Sequence, residues 1–250
     1  GLNLSSGSIT VNGTLTVSNI NINGTIAGSS AQVIPSVSGQ SGKFLTTNGS
    51  TMSWGTIESG GGPKSISVYN GNSTWNKPSG IKRIWVMCTG GGGGGSGYGE
   101  SAGAGAHTES IVNVENINSI SVTVGGAGGG TGYSGRGGNG GTSSFGNYVS
   151  SGGGQGANRR QQHEGATGGN PNQGSVRIYG GSGQGHRNPP GLGHGGTSFW
   201  GGSAPTAHRQ QQWAQRHRAH AAYGAGGSSG RNSERGGDGR QGIVVVYEFD

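Results

Sequence analysis

The chain has 250 residues, of which 62 are Gly, 27% are apolar, 10% are charged and one is Cys. No run approaches the ~18 apolar residues of a membrane-spanning helix, and a single Cys excludes an internal disulfide framework and a Cys-rich zinc site. So few apolar residues make a conventional core hard to build; either much of the chain is disordered or Gly backbone does part of the packing.

The formal net charge of +7 is concentrated. Residues 151–240 hold ten Arg against Glu164, Glu234 and Asp238, together with six of the seven His; the remainder of the chain balances. This surplus suits the solubility of a sparsely charged surface, or attraction to an anionic partner such as acidic polysaccharide, a membrane surface or nucleic acid.

The chain starts Gly1-Leu2-Asn3, without initiator Met or a basic-then-apolar leader, and reads as the C-terminal part of a longer protein. Residues 1–62 form the first region. Leu2/Leu4, Ile9/Val11, Leu15/Val17 and Ile20/Ile22 are apolar-x-apolar pairs, punctuated by Asn-Gly at 12–13 and 23–24. Period 2 with such turns predicts short β-segments. One ribbon cannot bury its own apolar edge, so the region reads as a self-associating, trimeric β-structured stem, or else as a disordered linker. GKFLTTNGSTMSWG (42–55) is an ordered island, because Trp54 is costly to leave in water.

Residues 63–250 form the second region. Strands are predicted at 65–69, 81–88, 110–114, 117–124, 144–149, 176–179 and 243–249, the last (IVVVYEF) as a buried central strand. Without a convincing amphipathic helix, short strands of this kind suggest an antiparallel sandwich or jelly roll. Cys88 reads as a small buried hydrophobe.

Between the strands lie glycine tracts in threes: Gly126, 129, 132, 135, 138 and 141; Gly224, 227, 230, 236, 239 and 242; and a broken register through Gly165, 168, 174, 180 and 183. Three residues per turn is the repeat of the polyproline II spiral, which makes no internal hydrogen bonds. Gly at every third position leaves one face bare, able to press on a neighbouring backbone. These tracts therefore read as inserted polyglycine II helices, with flexible tracts as the alternative.

The one long Gly-free interval in the glycine region is SAPTAHRQQQWAQRHRAHAAY (203–223). It carries His208, Arg209, Trp213, Arg216, His217, Arg218, His220 and Tyr223. Arg forks grip carboxylates and phosphates, and aromatic faces stack on sugars or bases, so the set suits an anionic glycan, with a solvated loop as the alternative. Arg159, Arg160 and His163 form a smaller set of the same chemistry, as do His186 and Arg187 beside Pro189-Pro190. Neutral-pH titration of His would tighten anion binding below about pH 6. Three scattered His make no metal site, no paired carboxylates support a glycosidase, and GxGxxG matches arise by chance in a chain this rich in Gly. The reading is non-enzymatic, with no cofactor and no metal.

STWNKPSGIKRIWVMCTGGGGGG (73–95), GGNGGTSSFGNYVSSGGGQG (137–156), GGTSFWGG (195–202) and GIVVVYEFD (242–250), in that order, resemble the glycine-rich C-terminal receptor-binding domain of bacteriophage tail fibres and adhesins. NGTLTVSNININGTI and GKFLTTNGSTMSWG are similar to cyanophage-type fibre stalks. The resemblance implies a homotrimeric, all-β fibre end on a virion: a β-structured stem, then a jelly-roll-like (tumour-necrosis-factor-like) sandwich carrying polyglycine II helices. It further implies partners among other tail or fibre proteins and a host cell-surface polysaccharide or outer-membrane protein. Arg136-Gly-Gly and Arg235-Gly-Gly leave nucleic-acid binding as one competing function, and a purely structural fibre as another.

Overall fold

The structure is a computed structural model that describes residues 12, 13, 16, 35–56, 61–97, 100–132, 135–158, 165–185, 193–203, 222–230 and 235–250. It divides into two compact units, Gly1–Gly61 and Gly62–Asp250. No helix occurs among the described residues.

In the first unit, β1 (Lys43–Thr47) and β2 (Met52–Thr56) form an antiparallel hairpin, with Lys43 opposite Thr56 and Thr47 opposite Met52. Asn48 closes its turn: the side-chain oxygen accepts from the N–H of Ser50 (3.0 Å) and Thr51 (2.8 Å), and Gly49 takes φ 91°, a value L side chains avoid. The Trp54 indole N–H donates to the Ser36 carbonyl at 2.9 Å, so the expected ordered island has a polar anchor as well as a pairing partner. The apolar pairs between Leu2 and Ile22 lie outside the described residues.

The second unit contains β3 (Ser65–Tyr69), β4 (Ser73–Asn76), β5 (Arg83–Thr89), β6 (His107–Asn113), β7 (Ser119–Thr123), β8 (Ser143–Phe145), β9 (Val149–Ser151), β10 (Pro171–Gln173), β11 (Val176–Ile178) and β12 (Ile243–Phe249). They form two antiparallel five-stranded sheets, ordered β10-β9-β8-β7-β4 and β11-β6-β5-β12-β3. The expected strand over 144–149 is two strands: Gly146 turns the chain, and Phe145 pairs with Val149. β4 and β10 were not anticipated, because four and three mostly polar residues carry no alternation to read. β12 does lie inside its sheet, between β5 and β3.

The sheets face each other across one core. Ile84, Val86 and Cys88 of β5 and Val244 and Val246 of β12 meet Trp75, Ile120, Val122, Phe145 and Val149 of the first sheet. Trp75 and Phe145 pack with ring centroids 5.8 Å apart. Burial pushes the Cys88 thiol far up, which leaves it an inert core side chain. Glu248 points into the same core and is 1% exposed. It accepts the Trp75 indole N–H at 2.7 Å, the Ser67 hydroxyl at 3.3 Å and the Ser65 hydroxyl. A buried carboxylate is tolerated when donors replace its water, and here two distant sequence segments, STWN and IVVVYEF, are tied by one such bond.

Candidate functional site

Each strand from β5 to β12 continues into, or follows from, a glycine-bearing segment. Ten extended segments leave one end of the sheets: 90–96, 100–106, 125–132, 135–142, 152–158, 165–170, 180–185, 193–197, 224–230 and 235–242. They lie side by side and bond main chain to main chain at intervals of three residues. Segment 90–96 has six such neighbours. The N–H groups of Gly90, Gly93 and Ser96 donate to Ala106, Gly103 and Glu100; those of Gly91 and Gly94 to Gly141 and Gly138; those of Gly92 and Gly95 to Arg240 and Gly237, all at 2.8–3.0 Å. Its carbonyls accept from Gly154 and Ala157, from Gly128 and Thr131, and from Gly227 and Gly230. From Gly91 to Ser96 every main-chain donor and acceptor is thereby matched, as a dry interior requires.

This arrangement explains six consecutive glycines. A Cβ at Gly90 through Gly95 would fall well inside 3.0 Å of the backbone of Gly152, Gly126, Ala225, Gln155, Gly129 and Ser228 respectively. With neighbours on all sides, no direction is free for a side chain. Farther out the requirement falls on alternate faces. Gly236, Gly239 and Gly242 press on Gly95, Gly92 and Thr89, and Gly165, Gly168, Gly180 and Gly183 also meet backbone, in the expected registers. The run 126–141 is different. Its glycines belong to two antiparallel segments bonded to each other, Gly138 to Gly129 and Gly141 to Gly126. Gly126 and Gly132 have nothing within 4 Å of an added Cβ, and at Gly138 and Gly141 it would lie 3.1 and 2.8 Å from backbone nitrogen, whereas Gly125, Gly128, Gly137 and Gly140 abut carbonyl oxygens much more closely. The tightest contacts are thus out of step with the register that spacing suggested, which keeps looser ones at Gly138 and Gly141.

The two ends of this layer differ. At the end far from the sheets, one continuous set of bonds joins Ser96 to Glu100 and Gly230, Thr131 to Gly95 and Gly236, Ala157 to Gly94, Ser101 to Ala166 and Gln184, and His194 to Gln184. These residues flank 98–99, 133–134, 159–164, 186–192 and 231–234. Ser203 and Ala222, which flank 204–221, lie at the sheet end: Ala222 bonds to Gly202, Gly224 bonds to Gln241, and Trp200 reaches Thr89. Arg159, Arg160, His163, His186, Arg187, His208, Arg209, Trp213, Arg216, His217, Arg218 and His220 all lie outside the described residues. Tyr223 is described, and it packs against Met87, Ile243 and Val245 on the second sheet.

Two charged groups of the far end have structural partners. Arg235 bonds Asp238 at 2.9 Å and the Gly130 carbonyl at 3.0 Å, while Asp238 accepts the Gly130 N–H at 2.7 Å. Beneath them Glu100 is 2% exposed, and one carboxylate oxygen has no hydrogen-bond partner. Burial pushes its carboxyl up to about 7, against the opposing pull of the Asn158 N–H. Nothing in the local sequence marks Glu100, since its burial arises from packing of segments distant in the chain. Among the described residues, no His, Cys, Asp and Glu side chains gather in threes to hold a metal ion.

The outward faces of the two sheets are unlike. The first shows exposed Thr74, Ser119, Ser121 and Thr123. The second shows Ile66, Val68, Ile111, Val176 and Ile178, with Ile111 72% exposed, beside the stacked Trp85 and Tyr247 rings.

These features define an all-β protein whose strands carry a glycine layer held together by its main chain. The profile of a family described as a glycine-rich domain matches residues 66–248, well over half of the sequence, and the chain belongs to that family. No curated protein matches it.

Proposed function

We propose that this chain is a non-enzymatic structural protein of a bacteriophage tail fibre, whose glycine-rich end contacts the host cell surface during adsorption. The observation that carries the reading is the far end of the glycine layer, a main-chain-bonded solid formed by the described segments. Loops carried on a rigid frame are where recognition residues collect, and Arg159, Arg160, His163, His186 and Arg187 are the residues of this reading that make the contact. The three-residue interval of the bonds supports polyglycine II helices for the segments, and the paired five-stranded sheets support a tumour-necrosis-factor-like jelly roll. The apolar patch of Ile66, Val68 and Ile111 on the outward face of the second sheet supports a homotrimer, with that patch, and not the glycine-layer end of the face, turned to neighbouring copies. Three copies of a weak site on one particle gain avidity without new contacts. A host polysaccharide or outer-membrane protein is the receptor in this reading, other fibre proteins join the stem, and the virion is the location. Arg235, from one of the two Arg-Gly-Gly units, is engaged by Asp238, which weighs against nucleic-acid binding.

The test is binding of labelled full-length protein to a panel of bacterial strains, with purified surface polysaccharide as competitor. Competable binding to some strains, lost on joint substitution of Arg159, Arg160 and His163 by Ala, is expected. Absence of binding to every strain by a correctly assembled trimer would leave only a scaffolding role.

A further inference from the structure

The outward face of the second sheet holds a fully buried His whose bonds run in one direction. His107 is 0% exposed; its Nδ1 lies 2.7 Å from the Thr89 hydroxyl and its Nε2 3.0 Å from Glu109 Oε1. Two indoles close the ends: the Trp200 N–H donates to Thr89 Oγ1 at 2.8 Å, and the Trp85 N–H donates to Glu109 Oε2 at 3.1 Å. Indole nitrogen only donates and a carboxylate only accepts. His107 must then carry its proton on Nε2, facing Glu109, and Nδ1 must accept from the Thr89 hydroxyl. Every proton in the relay from Trp200 through Thr89 and His107 to Glu109 has one place.

The arm formed by residues 198–203 rests on this relay. Phe199 stacks flat on the imidazole (centroids 3.7 Å apart, planes within 3°), and Trp200 stands edge-on to both rings. Ser198 and Gly201 bond to each other across the turn. The other sides of Phe199 and Trp200 are 44% and 38% exposed, so the arm can lift into solvent without disturbing the core.

We propose that this arm is an acid-released latch, closed on the sheet while His107 is neutral and freed when His107 takes up a proton. A second ring proton would sit on Nδ1, facing the Thr89 hydroxyl. Thr89 would then accept from both His107 and Trp200 and its own proton would lose its acceptor in a dry site, a cost relieved when the arm lifts and water reaches the hydroxyl. With the arm lifted, water reaches the ring and the imidazolium is solvated. Glu109 favours the charged ring, but burial outweighs it and holds His107 below its ordinary value of 6.5. From the surrounding elements, β5 presents Thr89, β11 presents Ile178 and the arm presents Phe199 and Trp200; Glu109 is the charged partner, and the same face also carries the Tyr223 and Tyr247 phenols and, at the far end of β5, Arg83. Since the closed state disfavours the proton, closure is complete above about pH 6.5 and weakens as pH falls from there toward the depressed value.

The test is hydrogen exchange of the Trp200 indole N–H, which ties the arm to Thr89, in the full chain between pH 8 and pH 5, corrected for intrinsic rates. Its protection should fall about tenfold per pH unit below about 6.5, while the amides of β12 stay protected. In His107→Gln, whose carboxamide can donate to Glu109 and accept from Thr89 without titrating, protection should be level with pH. Wild-type protection that is flat over this range, loss shared equally by β12, or an undiminished pH dependence in His107→Gln would each overturn the latch.

Discussion

Gly94→Ala tests the physical basis of the glycine layer most directly. The added Cβ would fall within 3.0 Å of the Gly129 carbonyl and of the Gly130 nitrogen, both main-chain atoms that cannot rotate away. An ordinary contact needs 3.4 Å or more, so one segment must move by about an ångström. That displacement strains the bond from Gly94 to Gly138 (2.9 Å), the bond from Ala157 to Gly94 (2.9 Å) and those from segment 125–132 to Gly92 and Gly95. At about 1 kcal/mol per bond, with overpacking adding a similar amount, the cost is about 3–5 kcal/mol. Domains have only about 5–15 kcal/mol to lose. At about 2–4 °C per kcal/mol, thermal unfolding followed by circular dichroism should fall by about 10 °C. Gly126→Ala is the matched control: it adds the same methyl to a position with nothing within 4 Å and should shift the midpoint by no more than about 2 °C. If Gly94→Ala unfolds within 2 °C of wild type, or if both variants are equally damaged, main-chain close packing is not what holds this layer.

Three further outcomes follow from the same structure. Trp75→Phe keeps the aromatic packing on Phe145 but takes one of the donors of Glu248, so it should destabilise by about 1–3 kcal/mol in denaturant titration. Glu100→Gln should match wild type below pH 4.5 and gain on it as pH rises toward 7, because the folded state resists ionisation of a carboxyl whose value burial has raised; the gain, read from midpoints at several pH values, should be about 1–2 kcal/mol, less than the whole shift because solvent beyond the far end screens it. Asp238→Ala removes the acceptor shared by Gly130 and Arg235 and should cost about 1 kcal/mol, with faster amide exchange confined to residues near 130.

Strand content and the importance of spacing in threes were legible in the residues, because alternation, turn residues and bare-backbone repeats are local properties. The central place of IVVVYEF was legible for the same reason: a nearly continuous apolar run must be covered on both faces. Which glycines are indispensable was not legible. Along 126–141 the spacing pointed to one face, and antiparallel pairing of two segments put the crowded contacts on Gly125, Gly128, Gly137 and Gly140 instead. Glu248, Glu100 and His107 carry no mark in the sequence because a single polar residue in a strand or glycine tract has no periodic signal; its meaning comes from partners distant in the chain, such as Thr89, 18 residues from His107, and Trp75, 173 residues from Glu248. Composition alone left two outcomes, disorder or an interior in which backbone replaces side chains, because 62 glycines offer no other surface to bury. Only the tertiary structure decided which carbonyl faces which N–H, because that pairing depends on how segments far apart in the chain are brought side by side.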